Sequence, residues 1–501
     1  GTAIYYEWNF HFYRLDLNTK EAVSLLPPNP HFRFPQDFAL SLDQKEVAFI
    51  AQENRQYDIW RLPLGGGAPQ RVTHDSVFEQ APFWQPDNKL LYNVRHEGAM
   101  QVYWLDVTSG VSTLIPTGDH PCHLADYSVA TGRLLCQEQR DESDVFSVPT
   151  EGGAEREVTN DLGAEFWATI APNNSAVLYH SIPGERFIWE PRKSFLFSRS
   201  LTDKGTVARL AADAFEAQWS PSGERIAFLR MTDQITRQLW VINAAGGEER
   251  QLTNGDVVIS GVRNSPPYNR SQPSAWSWSP DSQRLAYCVT QDGAVNVWTV
   301  AADGTQATPV SANRDPDIRF DCPLWSPDGQ RLAYITETGR KGAPGKPTRS
   351  LWVTQQEKSR LVFQTEALLR FLGWTTNHEL IVALTDSLTG SRTQPTSVQL
   401  VVLKLNAADT VDQRPLGTLS ETYLSNVHLA ANGQRIAFVK SQNGRDDIWL
   451  FSPGNGQQRK LTNNSDPSAL FASLSWAPDG KTIYYDKQAR WSILTMTTLG
   501  Q

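Results

Sequence analysis

The sequence predicts an all-β fold, a β-propeller of four-stranded antiparallel blades. Three observations predict it: a recurring hairpin motif, an aromatic third strand after each hairpin, and a Gly-rich turn that introduces a fourth. The hairpins are AQWSPSGERIAFLR from Ala217, SWSPDSQRLAYCVT from Ser277 and PLWSPDGQRLAYIT from Pro323, with SLSWAPDGKTIYYDK from Ser473, VHLAANGQRIAFVK from Val427 and APFWQPDNKLLYNV from Ala81. Each reads as an apolar run, a tight turn and a second apolar run. Pro presets φ for the first turn position, and Asp-Gly or Asn-Gly supplies the polar and positive-φ residues. The second run, as in Arg331-Leu332-Ala333-Tyr334-Ile335, sends successive side chains to opposite faces, as a strand does.

The third strand carries a central aromatic in YDIWRL (Trp60), QVYWLDV (Trp104), DVFSV (Phe146), RQLWVIN (Trp240), VNVWTV (Trp298), RSLWVT (Trp352) and DDIWLF (Trp449). A Gly-rich turn and a fourth strand ending in a polar cluster follow, as in GGGAPQRVTHD from Gly65, GGAEREVTND from Gly152, GGEERQLTNGD from Gly246 and GNGQQRKLTNNSD from Gly454. The whole unit takes roughly 40–50 residues, the size of one propeller blade.

Hairpins start near residues 38, 81, 124, 166, 217, 275, 323, 370, 425 and 472. Ahead of them AIYYEW, HFYRLDL and EAVSLLP read as the last three strands of another blade, and the last unit stops at WSILTM without a fourth strand. Propellers often close by pairing strands from both ends of the chain in one blade, which removes exposed edges. About ten to eleven blades exceed the usual ring size. The expectation is therefore two propellers, with one large ring as the alternative. The longest connection, VVISGVRNSPPYNRSQPS over residues 257–274, is a linker or a long face loop, dividing a first propeller (1–256) from a second (275–501).

Composition narrows function. The 17 tryptophans against 3 methionines follow the repeat rather than a binding motif. A net charge of −8 with no basic patch argues against nucleic-acid binding, which needs clustered Lys and Arg. The densest basic stretch, RKGAPGKPTR from Arg340 to Arg349, is Gly/Pro-rich and reads as a loop. No run approaches the apolar length of a membrane span. Cys122, Cys136, Cys288 and Cys322 are too scattered for a disulfide scaffold or a zinc site. Buried free thiols are expected, with a Cys288–Cys322 bridge between adjacent blades as the alternative.

Catalytic signatures are absent from the sequence. It contains no G-x-S-x-G nucleophile elbow. His96-Glu97 begins HEGAM, without the second His of a zincin. Gly345-Lys346 is followed by Pro347, and Gly65-Gly66-Gly67 lies between strands, so neither is a nucleotide loop. The nine histidines show no spacing. Asp281, Asp328 and Asp479 are expected to cap their own turns rather than form a carboxylate array. Trp219, Trp278, Trp325 and Trp476 are expected to fill the space between blades. No catalytic residue, metal ligand or cofactor is expected. Binding is expected on a propeller face, at the insertion with Arg186, Trp189 and Arg192 and the long connection with Arg263, Tyr268 and Arg270. Arg combined with Trp or Tyr is the mixture favoured at recognition hot spots.

The W-S-P-D-G hairpin, I-W-x-[IV] strand and G-G-x-x-x-x-L-T tail resemble the TolB-type, WD-like propeller repeat over essentially the whole chain. Such repeats occur in TolB and in the propellers that follow a membrane helix in ToxR/CadC-like winged-helix regulators. The resemblance implies a periplasmic, non-enzymatic sensor or interaction module with a protein partner or small ligand on one face. Any membrane attachment would come from a segment upstream. The alternative is the propeller of a peptidase-like or carbohydrate-active enzyme whose catalytic part lies elsewhere.

Overall fold

The computed structural model describes the chain except residues 1, 9–10, 26–32, 54–55, 75–77, 97–98, 117–121, 129–130, 161–162, 184–193, 203–204, 233–235, 255, 258–275, 340–346, 357, 387–395, 407–409 and 499–501. Each predicted hairpin start falls in or beside a strand: Arg33–Leu40, Phe78–Gln85, His123–Ser128, Gly163–Ile170, Ala214–Trp219, Trp276–Trp278, Arg319–Trp325, Leu368–Thr376, Val411–Leu429 and Ala469–Trp476. The architecture is the predicted all-β propeller of antiparallel blades.

One blade shows how the sequence builds the rest. Strands Ala214–Trp219, Arg225–Met231, Arg237–Asn243 and Arg250–Gln251 pair in that order, all antiparallel. The turn between the first two is held by Ser220, whose Oγ accepts the Arg225 amide at 3.1 Å, and by Gly223 at φ 76°. The second strand is apolar on both sides because it lies between neighbouring blades; Ile226, Ala227, Phe228 and Leu229 are all fully buried. The tryptophan that ends the first strand wedges against the preceding blade, as expected, and its indole N–H often reaches a carbonyl there. Trp278 donates to Gln218 O at 3.4 Å, Trp374 to Leu324 O at 3.2 Å, Trp476 to His428 O at 3.2 Å and Trp84 to Ala39 O at 3.0 Å.

The chain divides into two compact units, Gly1–Arg140 with Trp491–Gln501, and Asp141–Arg490. The expected boundary at 257–274 is not where the division falls. Asp256–Val257 and Trp276–Trp278, on either side of residues 258–275, both pair with the strand Arg284–Gln291. They are two pieces of one first strand, so a domain boundary between them would split a sheet. Other first strands explain how such an insertion is accommodated. They break register at a common place, at Phe215/Gln218, Asp321/Leu324 and Ala472/Ser475, with Glu216 and Ser473 at φ 52° and 50°. Such β-bulges carry extra residues out of the ladder. Where the preceding blade has Phe215 and Glu216, this blade has residues 258–275.

The second unit closes on itself. Its last blade combines Ala469–Trp476 and the first part of Thr482–Thr498 with the end of Arg133–Pro149 and with Arg156–Glu157. The seam is pinned by the Thr150 amide, which donates to Lys481 O at 2.8 Å. The final repeat therefore does not lack its outer strands, as the sequence suggested; they come from the interior of the chain. The three-stranded sheet Ala3–Trp8, His11–Asp16, Ala22–Ser24 belongs to the first unit and takes no part in that seam.

Successive blades are also latched through one second-strand position. Buried Asp486 accepts the Trp167 amide with both carboxylate oxygens, at 3.1 Å each. Asn93 Oδ1 accepts the Leu124 amide at 2.8 Å, and His180 Nε2 accepts the Ala217 amide at 3.2 Å. Replacing Asp486 with alanine removes the acceptor for a bulge amide at the closing seam. The expected cost is about 1–3 kcal/mol, read from the urea midpoint.

The cysteines correct a second expectation. Cys122 and Cys136 form a disulfide inside one hairpin, with Cα atoms 4.9 Å apart; Cys136 pairs with Leu124, and Cys122, two residues before Leu124, lies diagonal to it. Cys288 is a buried free thiol and so is not bridged to Cys322, whose side chain lies outside the described residues.

Candidate functional site

The conspicuous polar residues of the repeat serve the frame. In five blades the Thr or Ser that closes the fourth strand accepts a backbone N–H from the third strand: Thr73 from Ile59 at 2.8 Å, Thr159 from Val145 at 2.8 Å, Thr253 from Leu239 at 2.9 Å, Ser311 from Val297 at 3.0 Å and Thr462 from Ile448 at 2.9 Å. Four of these hydroxyls donate in turn, to Glu79, Gln238, Asn296 and Asp447. Buried polar groups satisfied in this way organise a turn and are not free to meet a ligand.

The turn aspartates behave as the sequence predicted. Asp281 accepts Ser279 Oγ and the Gln283 amide at 3.0 Å, Asp328 accepts Ser326 Oγ at 2.6 Å and the Gln330 amide at 3.0 Å, and Asp479 accepts the Lys481 amide at 2.9 Å. The hydroxyl of Ser279 holds the Asp281 carboxyl below its ordinary range. Arg349, at the end of the basic stretch, is in a strand and pairs with Glu337 at 2.8 Å; residues 340–346 lie outside the described residues. Burial, aided by the Asp321 carboxylate, pushes the Cys288 thiol well above its ordinary range.

His428, at the end of a first strand, is held well below its ordinary value of 6.5. Burial is the main cause and the Arg370 guanidinium the second, with a backbone hydrogen bond at Ser425 opposing. The folded state thus keeps the imidazole neutral while the unfolded chain takes up a proton below about pH 6.5. Its contribution is intact above that pH and is lost as pH falls toward the folded value, by up to about 1.4 kcal/mol per pH unit. Urea midpoints at pH 7.5 and 5.5 are expected to differ less in His428→Gln than in the parent.

The candidate binding residues Arg186, Trp189, Arg192, Arg263, Tyr268 and Arg270 all lie outside the described residues. Their anchor points are described, and these share one end of the blades. Residues 184–193 leave from Pro183, which pairs with Gly163 at the start of a first strand. Residues 340–346 and 387–395 likewise join second strands, Arg331–Thr338 and Glu379–Thr385, to third strands, Thr348–Gln355 and Thr396–Leu405. Residues 258–275 leave from Val257, which pairs with Val289 near the end of a second strand. In antiparallel blades this end is opposite the W-S-P-D turns. The longer excursions of the second unit are thus rooted on one face.

The first unit contains a cleft of about 580 Å³ that the sequence did not reveal. Its lining combines Arg61, Gln70, Arg71 and His74 of one blade with Thr108, Ser109 and Ser112 of the next. Its guanidinium groups already have partners: Arg61 grips Gln70 Oε1 at 3.0 and 2.7 Å, and Arg71 pairs with buried Asp58 at 2.7 Å. Among the described residues no group of three or more His, Cys, Asp or Glu could hold a metal ion. No helix among them is long and apolar enough to cross a membrane.

Comparison with known proteins agrees with the repeat. Residues 198–315 match the dipeptidyl peptidase IV (DPP IV) N-terminal region family. The chain is 24% identical over 182 residues to an uncharacterised protein of Agrobacterium fabrum, a match covering 34% of this chain and 61% of that protein. It is 28% identical over 88 residues to the Tol-Pal system protein TolB of Alcanivorax borkumensis, covering 18% of this chain and 17% of that one. The matches thus span less than two thirds of either relative's length. Among solved structures, the putative TolB of Agrobacterium tumefaciens is similar at TM-score 0.40 and 14% identity, covering 70% of this chain and 98% of that one. TolB from Acinetobacter baumannii gives TM-score 0.36 at 11% identity, over 81% and 79% of the two chains. The chain has a TolB-like β-propeller fold.

Proposed function

We propose that this chain is a non-enzymatic binding propeller, whose second unit presents the insertion-bearing face to a protein partner or small ligand outside the cytoplasm. The observation that carries the reading is the shared root of residues 184–193, 258–275, 340–346 and 387–395 on one end of the blades. A repeat frame needs none of this length to close its sheets, and loops on a rigid scaffold are where recognition residues accumulate. The Cys122–Cys136 bridge and the similarity to a Tol-Pal system protein support an extracytoplasmic, periplasmic setting.

The test replaces residues 258–275 with Phe-Glu, the dipeptide that the preceding blade uses at the same bulge. The variant is expected to melt with the parent but to lose cross-links to envelope proteins, or ligand-induced thermal shifts, that the parent shows. Unchanged cross-links and shifts in a folded variant would refute this face as the binding surface. The finer reading, a sensor portion of a membrane-bound transcription regulator, is tested by sequencing the reading frame upstream for a winged-helix domain and a membrane helix. The match of residues 198–315 to a peptidase N-terminal region favours a second reading, the propeller of a peptidase-like enzyme. A G-x-S-x-G domain in the same reading frame would establish that instead.

A further inference from the structure

One pair of positions, just past the third-strand aromatic, joins the third and fourth strands of a blade. Third strand first, it is Ser147–Arg156, Val241–Arg250, Thr299–Thr308 and Leu450–Arg459, but Arg61–Gln70 in the first unit. The arginine has changed strands there. In two blades of the second unit the fourth-strand arginine spans the gap to the next blade and donates to a carbonyl in the turn after its third strand. Arg250 Nη1 reaches Asp303 O at 2.9 Å, and Arg459 Nη2 reaches Thr150 O. Gln70 is instead held within its own blade, where Arg61 donates to its Oε1 from Nε and Nη2. The gap to the turn at residues 107–110 stays open, and it is the cleft of about 580 Å³.

The cleft is rigid and positively charged. Beneath it Val72 and Val107, one from each blade, are buried in a single cluster. Its described lining includes Arg61, Arg71 and His74 but no Asp or Glu, in a chain whose net charge is −8. Asp58 balances Arg71 at 2.7 Å, whereas Arg61 meets only the neutral Gln70. In Arg71 Nε donates to Thr73 O at 3.0 Å. Both guanidinium groups are thus fixed through Nε and Nη2, and no hydrogen bond or ion pair among the described residues uses either Nη1. On the opposite wall Ser112 Oγ accepts the Tyr92 hydroxyl at 2.8 Å, which leaves its own O–H to donate. Asp106 on that side turns its carboxylate to the amides of Thr108 and Ser109, at 3.0 and 2.8 Å. A guanidinium fixed along one edge and open along another is suited to receive an oxyanion.

We propose that this cleft binds a small oxyanion, a carboxylate or phosphate carried by a polar molecule, with Arg61 as its main charge partner and Arg71 and the Ser112 hydroxyl as further donors. Its volume falls in the range of small-molecule sites, roughly 300–1,000 Å³. Where Arg250 and Arg459 close the gap with the chain's own guanidinium, the first unit leaves the space to a ligand whose charge Arg61 neutralises. The site belongs to the first unit and does not depend on the binding face of the second.

The test titrates the full chain by calorimetry with citrate and, separately, with inorganic phosphate, in low-salt buffer free of other polyvalent anions. Saturable binding of at least one anion at a single site is expected. Citrate alone would assign the cleft to carboxylates, and phosphate alone to phosphoryl groups. Arg61→Gln is expected to weaken binding about tenfold or more, through loss of a charge-assisted hydrogen bond. The exchange Arg61→Val with Gln70→Arg reproduces the Val241–Arg250 pair and keeps the net charge. It is expected to melt with the parent and to abolish binding. Two results would overturn the proposal: neither anion binding at millimolar concentration, or either variant, with the parent's melting profile, binding at the parent's affinity. The second would place the anion elsewhere on the surface. Should the exchange variant fail to fold, the milder Arg61→Gln decides alone.

Discussion

Trp276→Ala is expected to destabilise the Asp141–Arg490 unit by about 3–5 kcal/mol, the range for truncating a large buried aromatic. Trp276 is fully buried in a cluster with Phe215, Leu229, Leu239, Val257, Tyr287 and Val289. The equivalent place in the preceding blade, by the pairing of the first strand with the second, holds Ala217, so the indole is a large addition to the core at this position. It is also the first strand residue after the 258–275 insertion. Truncation therefore leaves a cavity where the strand resumes, and Val257, anchored on the near side, cannot extend to fill it. Equilibrium urea unfolding followed by tryptophan fluorescence checks the prediction. A loss under 1 kcal/mol would mean that the insertion, rather than Trp276, supplies the packing.

Cys122→Ser is expected to cost about 3 kcal/mol, the chain-entropy value for a loop near 15 residues. The two cysteines are 14 apart in sequence, and both are almost fully buried with Leu91, Val102, Leu124 and Leu134. At the usual sensitivity of about 2–4 °C per kcal/mol, the transition of the first unit falls by about 6–12 °C. The transition of Asp141–Arg490 is expected to stay in place, which separates a local effect from general misfolding. Differential scanning calorimetry with and without reductant distinguishes bond loss from the serine substitution itself. Reductant is expected to lower the parent toward the variant and to leave the variant unmoved.

The repeat was legible because blades are built from local rules. Pro and Gly place the turns, period-two apolar runs make the strands, and the aromatic at Trp240 or Trp449 sits at the same third-strand position in unit after unit. The turn-holding role of Asp281, Asp328 and Asp479 was legible for the same reason, since the carboxylate of each accepts an amide two residues on in its own turn. The Cys122–Cys136 pair was missed because a bulge between Leu124 and Asp126 shifts the register of that hairpin. The first-unit cleft was missed because its lining comes from the turns of two consecutive blades, and the sequence does not show how closely those turns approach.

Sequence by itself determined the fold class, the strand positions and the residues that hold each turn, all of which depend on neighbours a few positions apart. Tertiary structure alone decided how the blades are grouped. It joined Asp256–Val257 and Trp276–Trp278 to one strand of one blade and closed the second unit with strands more than three hundred residues apart, Thr150 against Lys481. The physical reason is that a strand edge is chemically generic. Its amides and carbonyls accept any antiparallel partner that the rest of the fold brings within reach, so no local pattern in Arg133–Pro149 or Thr482–Thr498 identifies the other.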